Sequence, residues 1–192
     1  MLFRSINACT LTINNNANVI IPSGFNVTLN GALTVSSGSF TLNNNANLIQ
    51  SSNVANSGNI IVKRETAALM RLDYAMWSSP VTNASQYLKT FSPSTLDARF
   101  YTYNPSTNVY ASVVASSTNF AVGTGYLIRL PNDHPTTPTI WTGTFTGTPN
   151  NGNVNLVVAN GTYNAIGNPY PSTINADTFI TTNNITEALY FW

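Results

Sequence analysis

The chain offers six carboxylates for acid–base chemistry: Glu65, Asp73, Asp97, Asp133, Asp177 and Glu187. Glycoside hydrolysis needs two of them facing each other, about 5 to 9.5 Å apart. No pair in the sequence suggests such a site, and the six read as surface and turn residues. The single histidine, His134, sits in Pro131-Asn-Asp-His-Pro135. A Ser-His-Asp site would have to use it, yet no Gly-x-Ser-x-Gly elbow is present. Zinc would want more histidine or cysteine than one of each. Asp133 beside Asn oxygens has the hard-oxygen chemistry of calcium, but no ligand spacing supports a site. His134 is therefore expected to be an ordinary loop residue. The single cysteine, Cys9, has no partner for an internal disulfide and is expected to be a small buried residue. Gly123-Thr-Gly125 and Gly143-Thr-Phe-Thr-Gly147 lack the strand-to-helix context and the Lys-Ser/Thr ending of phosphate loops, and read as strand-edge glycines. Asn-x-Ser/Thr triplets at Asn26, Asn83, Asn160 and Asn184 are expected by chance in so Asn-rich a chain.

Aromatic side chains are the better candidates for ligand contact. Trp77, Tyr101, Tyr103, Tyr110, Trp141 and Tyr170 offer flat faces suited to the C–H face of a pyranose. From these, Trp77, Tyr101, Tyr103 and Trp141 are taken as the candidate platform. The competing role is core packing. Arg99-Phe-Tyr-Thr-Tyr103 alternates, placing Phe100 with Thr102 on one side and Tyr101 with Tyr103 on the other; one set is core. Asp73 and Arg129 sit next to strand aromatics, where an ion pair and no contact are both open.

The elements that must position these residues are short strands. Charged residues make up 7% of the chain, against roughly 25% in an average soluble domain. A net charge of +1 gives no basic footprint for nucleic acid or an anionic membrane. Polarity comes instead from Ser, Thr and an abundance of Asn, which favour turns, while Thr, Val, Ile, Tyr and Phe favour strands. A hydrophobic fraction of 43% suffices for a core and argues against disorder. No stretch approaches the roughly 18 apolar residues of a membrane span, so no membrane insertion is expected. No secretory signal is visible, and Glu187-Ala-Leu-Tyr-Phe-Trp192 is an apolar, strand-like ending, so the chain is read as a fragment of a longer protein.

The first third repeats itself. Leu11-Thr-Ile-Asn-Asn-Asn-Ala-Asn-Val-Ile20 recurs as Phe40-Thr-Leu-Asn-Asn-Asn-Ala-Asn-Leu-Ile49, with Phe40 in the place of Leu11. Apolar residues alternate through Leu11/Ile13, Val19/Ile21, Val27/Leu29, Leu33/Val35 and Phe40/Leu42, the period of half-buried strands. Strands are expected to start near 11, 19, 27, 33, 40, 48 and 60, in stacked coils of about 14 to 15 residues, two per repeat. The Asn runs at 14–16 and 43–45 would sit at corners, where Asn tolerates left-handed backbone, or stack as ladders. Ser-Gly pairs at 23–24, 37–38 and 57–58 each precede a strand. The competing architecture is an antiparallel meander through a hairpin at Asn30-Gly31. The pattern changes near Lys63. Every Trp and every Tyr lies after Met70. Strands are expected at 99–103, 125–130, 139–142, 154–158 and 162–166, with helical turns at 84–91 and 175–180. The expected fold is all-β: a parallel β-helix or solenoid over residues 1–62, then an antiparallel, jelly-roll-like β-sandwich over 63–192.

From Gly58 onward a series of motifs runs in order, including Gly58-Asn-Ile-Ile-Val-Lys-Arg64, Trp77-Ser-Ser-Pro-Val81, Arg99-Phe-Tyr-Thr-Tyr-Asn104, Gly123-Thr-Gly-Tyr-Leu-Ile-Arg129, Gly167-Asn-Pro-Tyr-Pro-Ser172 and Leu189-Tyr-Phe-Trp192. They resemble a module of large adhesin-like secreted and surface proteins of the Bacteroidetes, exported through the type IX pathway. The resemblance covers about two thirds of the chain. It implies an extracellular or cell-surface setting and no catalytic residues. The expected function is a non-catalytic structural or adhesive segment, with a glycan or surface partner and no cofactor. The alternative is a carbohydrate-binding module of a polysaccharide-degrading enzyme. Parallel β-helices also host polysaccharide lyases, but residues 5–62 contain no charged side chain with which to build such a site.

Overall fold

A computed structural model describes residues 5–185 and 188–190. The first third forms eight short strands: β1 (Ile6–Ala8), β2 (Leu11–Ile13), β3 (Asn18–Ile21), β4 (Asn26–Leu29), β5 (Leu33–Val35), β6 (Ser39–Leu42), β7 (Asn47–Gln50) and β8 (Ile60–Glu65). β2 to β8 begin at, or one position before, the expected starts, and β1 precedes them. Pairing among these eight is parallel throughout: β1 with β4 with β7, β2 with β5, and β3 with β6 with β8. Representative partners are Val27 with Leu48, Leu11 with Leu33, and Thr41 with Ile61.

One circuit therefore takes three strands and a sequence step of 20 to 22, with 21 for the stacked pair Asn26 and Asn47. This is longer than the coil expected from the repeat. From Leu11, one circuit leads to its partner Leu33 in β5, and one further side leads to Phe40 in β6. The repeat thus copies one corner onto the next corner around, from β2–β3 to β6–β7. Both corners close with the same backbone hydrogen bond, Ala17 N to Asn14 O at 3.0 Å and Ala46 N to Asn43 O at 2.9 Å. Asn15, Asn16 and Asn45 take the left-handed conformation that Asn tolerates. The two Asn runs occupy different corners and cannot ladder on one another. Other residues do so from circuit to circuit: Asn47 Nδ2 donates to Asn26 Oδ1 at 2.8 Å, and the Ser39 and Ser51 hydroxyls donate to Asn18 and Asn30 Oδ1 at 2.7 Å each. Asn30-Gly31 makes no hairpin. It turns the chain from one sheet to the next while Asn30 N and Gly31 N donate to Ala8 O and Cys9 O of the circuit before.

Val27, Leu29, Leu33, Phe40 and Leu42 point inward and are fully buried, each contributing about 1.5–3 kcal/mol relative to exposure. Arg64 closes the last corner. Its guanidinium donates to the carbonyls of Lys63 and Ala46 at 2.9 and 3.2 Å, and burial lowers its pKa from the ordinary value.

β8 straddles the expected boundary between Val62 and Lys63. It lies parallel to β6 on one edge and antiparallel to a long strand, Thr142–Pro149, on the other. The later strands are β9 (Tyr74–Trp77), β10 (Val81–Thr82), β11 (Phe100–Asn104), β12 (Val109–Ser112), β13 (Tyr126–Arg129) and β14 (Thr142–Pro149). One sheet of five strands is ordered β10-β14-β8-β6-β3, and a second, antiparallel sheet is ordered β12-β11-β13-β9. The two layers meet across an aromatic cluster. Phe91 and Phe145 stack at 4.6 Å, and Trp77 meets Phe91 at 5.0 Å and Trp141 at 5.2 Å edge-on. The first of these layers is mixed rather than wholly antiparallel, because β3 and β6 join it from the first third. The expected helical turns are α1 (Leu88–Phe91) and α2 (Ala176–Thr182), the latter capped by Asn175 Oδ1 accepting from Thr178 N at 2.8 Å.

Three details differ from expectation. The strand expected at 139–142 runs over 142–149, so Gly143 and Gly147 lie on its inner face beside Phe145 rather than at an edge. A Cβ at Gly143 would stand 2.6 Å from Phe91 and 2.7 Å from Trp77, so glycine admits the cluster to the strand. Residues 154–158 and 162–166 form no strand; Val157 is fully exposed, and only Ile166 bridges to Thr124. Val and Leu there have β-propensity but no sheet edge to pack on, and propensity reports packing. Cys9 is exposed, because it follows β1 at a corner rather than pointing inward.

Gly58 combines φ +79° with a built Cβ only 2.0 Å from Val35 O, whereas Gly24, φ +81°, has nothing within 4 Å. Gly24→Ala is expected to cost about 1–2 kcal/mol from backbone conformation alone. Gly58→Ala adds a backbone clash and is expected to cost more than about 3 kcal/mol. Denaturant midpoints measure the difference, and equal losses would contradict the packed corner.

Candidate functional site

Register decides which side chains share the outer face of the antiparallel sheet. Tyr101 lies opposite Leu127, Tyr103 opposite Tyr110, Leu127 opposite Met76, and Arg129 opposite Tyr74. The intervening residues point the other way: Phe100, Tyr126, Ile128 and Trp77 are buried in the core. The alternation expected in Arg99–Tyr103 is resolved, with Phe100 inside and the two tyrosines outside.

The candidate platform is therefore divided. Tyr101 and Tyr103 share the outer face. Trp77 is only 7% exposed, and Trp141 packs on it and on Phe91 inside the aromatic cluster. Trp77 is core because β9 presents that side to the opposite sheet, and Trp141, just before β14, is partly buried against the same cluster. Tyr170 also serves the fold, donating to Gly152 O at 2.6 Å. The face gains Tyr74, Met76 and Tyr110 instead. Alternation in Tyr74-Ala-Met-Trp77 is a signal for the first two, since it sets Tyr74 and Met76 against Trp77.

The rings on this face are tied together. Tyr74 and Tyr101 lie 6.1 Å apart with planes tilted by 57°, and Tyr103 and Tyr110 meet edge-on at 5.3 Å. Tyr101 Oη donates to Ala98 O at 2.9 Å and accepts from Arg99 Nη1 at 3.4 Å. The Tyr103 hydroxyl donates to Asn108 Oδ1. Tyr110 Oη rests 3.9 Å from Met76 Sδ. Next to Tyr103 a shallow cavity of about 140 Å³ is lined by Pro105, Thr124, Leu156 and Asn164. The Tyr101 hydrogen bond, then the nearby Tyr74, raise the pKa of Arg99, which is a permanent cation. Burial, then neighbouring Tyr103, raise that of Tyr110.

The other candidates sit elsewhere. His134 lies in a loop as expected but is buried there: its Nε2 lies 3.0 Å from Leu69 O and 3.1 Å from Thr139 O, and it staples two loops. Asp133 accepts from the Ser94 hydroxyl, Asp73 from Met70 N, and Glu65 from Asn44, while Asp97 pairs with Lys89 at 2.7 Å. Asp73 and Arg129 do not pair. Glu187 lies outside the described residues, as do Phe191 and Trp192. Among the described residues, no three His, Cys, Asp or Glu side chains gather as a metal site requires, and no helix is long and apolar enough to cross a membrane.

The raised Tyr110 pKa means the fold favours its neutral phenol. Its stabilising contribution is present below pH 10.0 and is lost as pH rises through the higher folded value. Spectrophotometric titration is expected to show Tyr110 ionising above 10.0. In Tyr103→Phe it should ionise at lower pH than in the parent but remain raised, since burial is the larger cause. Ionisation at or below the free value would contradict this environment.

No curated protein and no solved structure matches the chain. Residues 4–192 match a protein family described as a domain of unknown function. That match spans nearly the whole length, and the chain belongs to this family, DUF8693.

Proposed function

We propose that this chain is a non-catalytic adhesive segment of a secreted or cell-surface protein, and that it holds glycan on the outer face of its antiparallel sheet. The observation that carries the proposal is the placement of Tyr74, Tyr101, Tyr103 and Tyr110 on one face of a sheet whose other face is locked into the core. Aromatic faces and phenol hydroxyls together suit a ligand that has both C–H faces and hydroxyls. Because the inner face is packed, the rings are presented by a rigid backbone, which lowers the ordering cost of binding.

In this reading residues 6–62 are a three-sided parallel β-helix whose coils advance by 20 to 22 positions, and the described residues from 63 onward a sandwich that shares its last strand. The β-helix is a stiff support: its strands are bonded to the circuit before, and Asn and Ser side chains add rungs. The resemblance to exported adhesin-like modules supports the extracellular setting. The alternative, a carbohydrate-binding module that keeps an enzyme on its polysaccharide, uses the same face.

A glycan array with the intact chain is expected to give binding that weakens about fivefold in Tyr101→Ala and in Tyr103→Ala, the loss of roughly 1 kcal/mol per aromatic contact. Trp141→Ala should lower stability without a specific effect on binding by the folded fraction. Absence of glycan binding by the folded parent chain would overturn the proposal.

A further inference from the structure

One end of the tyrosine face carries two arginines. Arg129 closes β13 opposite Tyr74. Arg99 ends the helical turn Asp97–Arg99 just before β11, and its Nη1 reaches Tyr101 Oη at 3.4 Å on the same face. Tyr74 and Tyr101 belong to the strands on either side of β13, yet their rings are 6.1 Å apart. Strands two apart in a sheet are separated by about 9.6 Å, so the rings lean together over β13. Arg129 beneath is 7% exposed.

This buried cation has no counter-charge among the described residues. Its Nε is buried without a hydrogen-bond partner. The one ion pair among the described residues joins Lys89 to Asp97, so neither Arg129 nor Arg99 has a carboxylate at ion-pairing distance there. A buried guanidinium nitrogen without a partner is costly. In a chain with 7% charged residues, two arginines meet the same tyrosine pair, Arg129 opposite Tyr74 and Arg99 at the Tyr101 hydroxyl. An anion would relieve that cost, and the guanidinium fork is suited to carboxylate or sulfate.

We propose that the Arg99–Arg129 end of the face is a subsite for the acidic group of an anionic glycan, a uronate carboxylate or a sugar sulfate, with neighbouring sugar rings on Tyr101 and Tyr103. The proposal rests on the glycan reading above and narrows it to acidic polysaccharides. Met76 and Leu127, next along the same face, supply the apolar floor that a sugar ring uses and that a purely charged ligand does not need.

Titration calorimetry of the full chain with polygalacturonate, dextran sulfate, neutral galactan and poly-glutamate tests it, with Arg99→Gln and Arg129→Gln compared after circular dichroism has confirmed folding. Polygalacturonate is expected to bind, to weaken as salt rises, and to bind at least tenfold less tightly in either variant. Tighter binding of dextran sulfate, lost in the same variants, would equally support the subsite and assign the acid group as sulfate. Galactan binding as tight as polygalacturonate, or unchanged polygalacturonate binding in Arg99→Gln, would overturn the acidic subsite and leave the glycan reading standing. Binding of no polysaccharide would overturn both, and so would poly-glutamate binding as tight as polygalacturonate. If Arg129→Gln does not fold, Arg99→Gln decides, because the Arg99 side chain is open to solvent.

Discussion

The structure depends on β8 being bonded along both edges. On one side it takes its place under β6 as the last rung of a parallel stack, with Thr41 and Leu42 against Ile61 and Val62. On the other side it runs antiparallel to β14 from Ile60 to Glu65. A parallel stack ends in unpaired N–H and C=O groups, and such an edge invites aggregation. Here the edge is covered by β14. The segment from Pro171 to Thr173 does the same for β7, where Leu48 N donates to Pro171 O at 2.9 Å and Thr173 N to Asn47 Oδ1 at 3.1 Å. The pairing of β14 also carries Phe145 over the aromatic cluster, and the cluster holds the antiparallel sheet with its tyrosines outward.

How much of this was legible in the sequence follows from the range of each interaction. Alternation is local, so the strand starts from Leu11 to Ile60 and the division of Phe100 from Tyr101 were readable. Corner chemistry is local too, and the Asn and Ser-Gly signals marked real turns. Pairing offset is not local. The most conspicuous repeat, from Leu11 to Phe40, joined two different corners of the circuit and concealed the shorter register that pairs β3 with β6 and β4 with β7. The site was half legible for the same reason. Tyr101 and Tyr103 follow from alternation, but Arg129 and Tyr74 become neighbours only through the register of β13 with β9. Trp77 and Trp141 misled because a tryptophan in a strand has the same composition signal whether it faces the core or solvent. Val154–Val158 misled because apolar residues make a strand only where an edge receives them.

Charge scarcity unites the two halves. Along the parallel strands, neutral Asn and Ser ladders stand where other proteins place ion pairs, and Arg64 at the last corner is the charge that burial reaches. On the antiparallel sheet the arginines are conspicuous because little around them answers their charge. In the reading proposed above, a surface of phenols, a thioether and two guanidinium groups serves contact along a face. The parallel strands set that face on a stiff base.

The central claim is that ligand contact occurs on the outer face of β12-β11-β13-β9. Amide and aromatic NMR shifts recorded during titration with an oligogalacturonate locate contact residue by residue. Shifts are expected to centre on Tyr74, Arg99, Tyr101, Tyr103 and Arg129, with the Asn corners at 14–16 and 43–45 unmoved. Shifts confined to those corners, or to the segment 151–166, would contradict it.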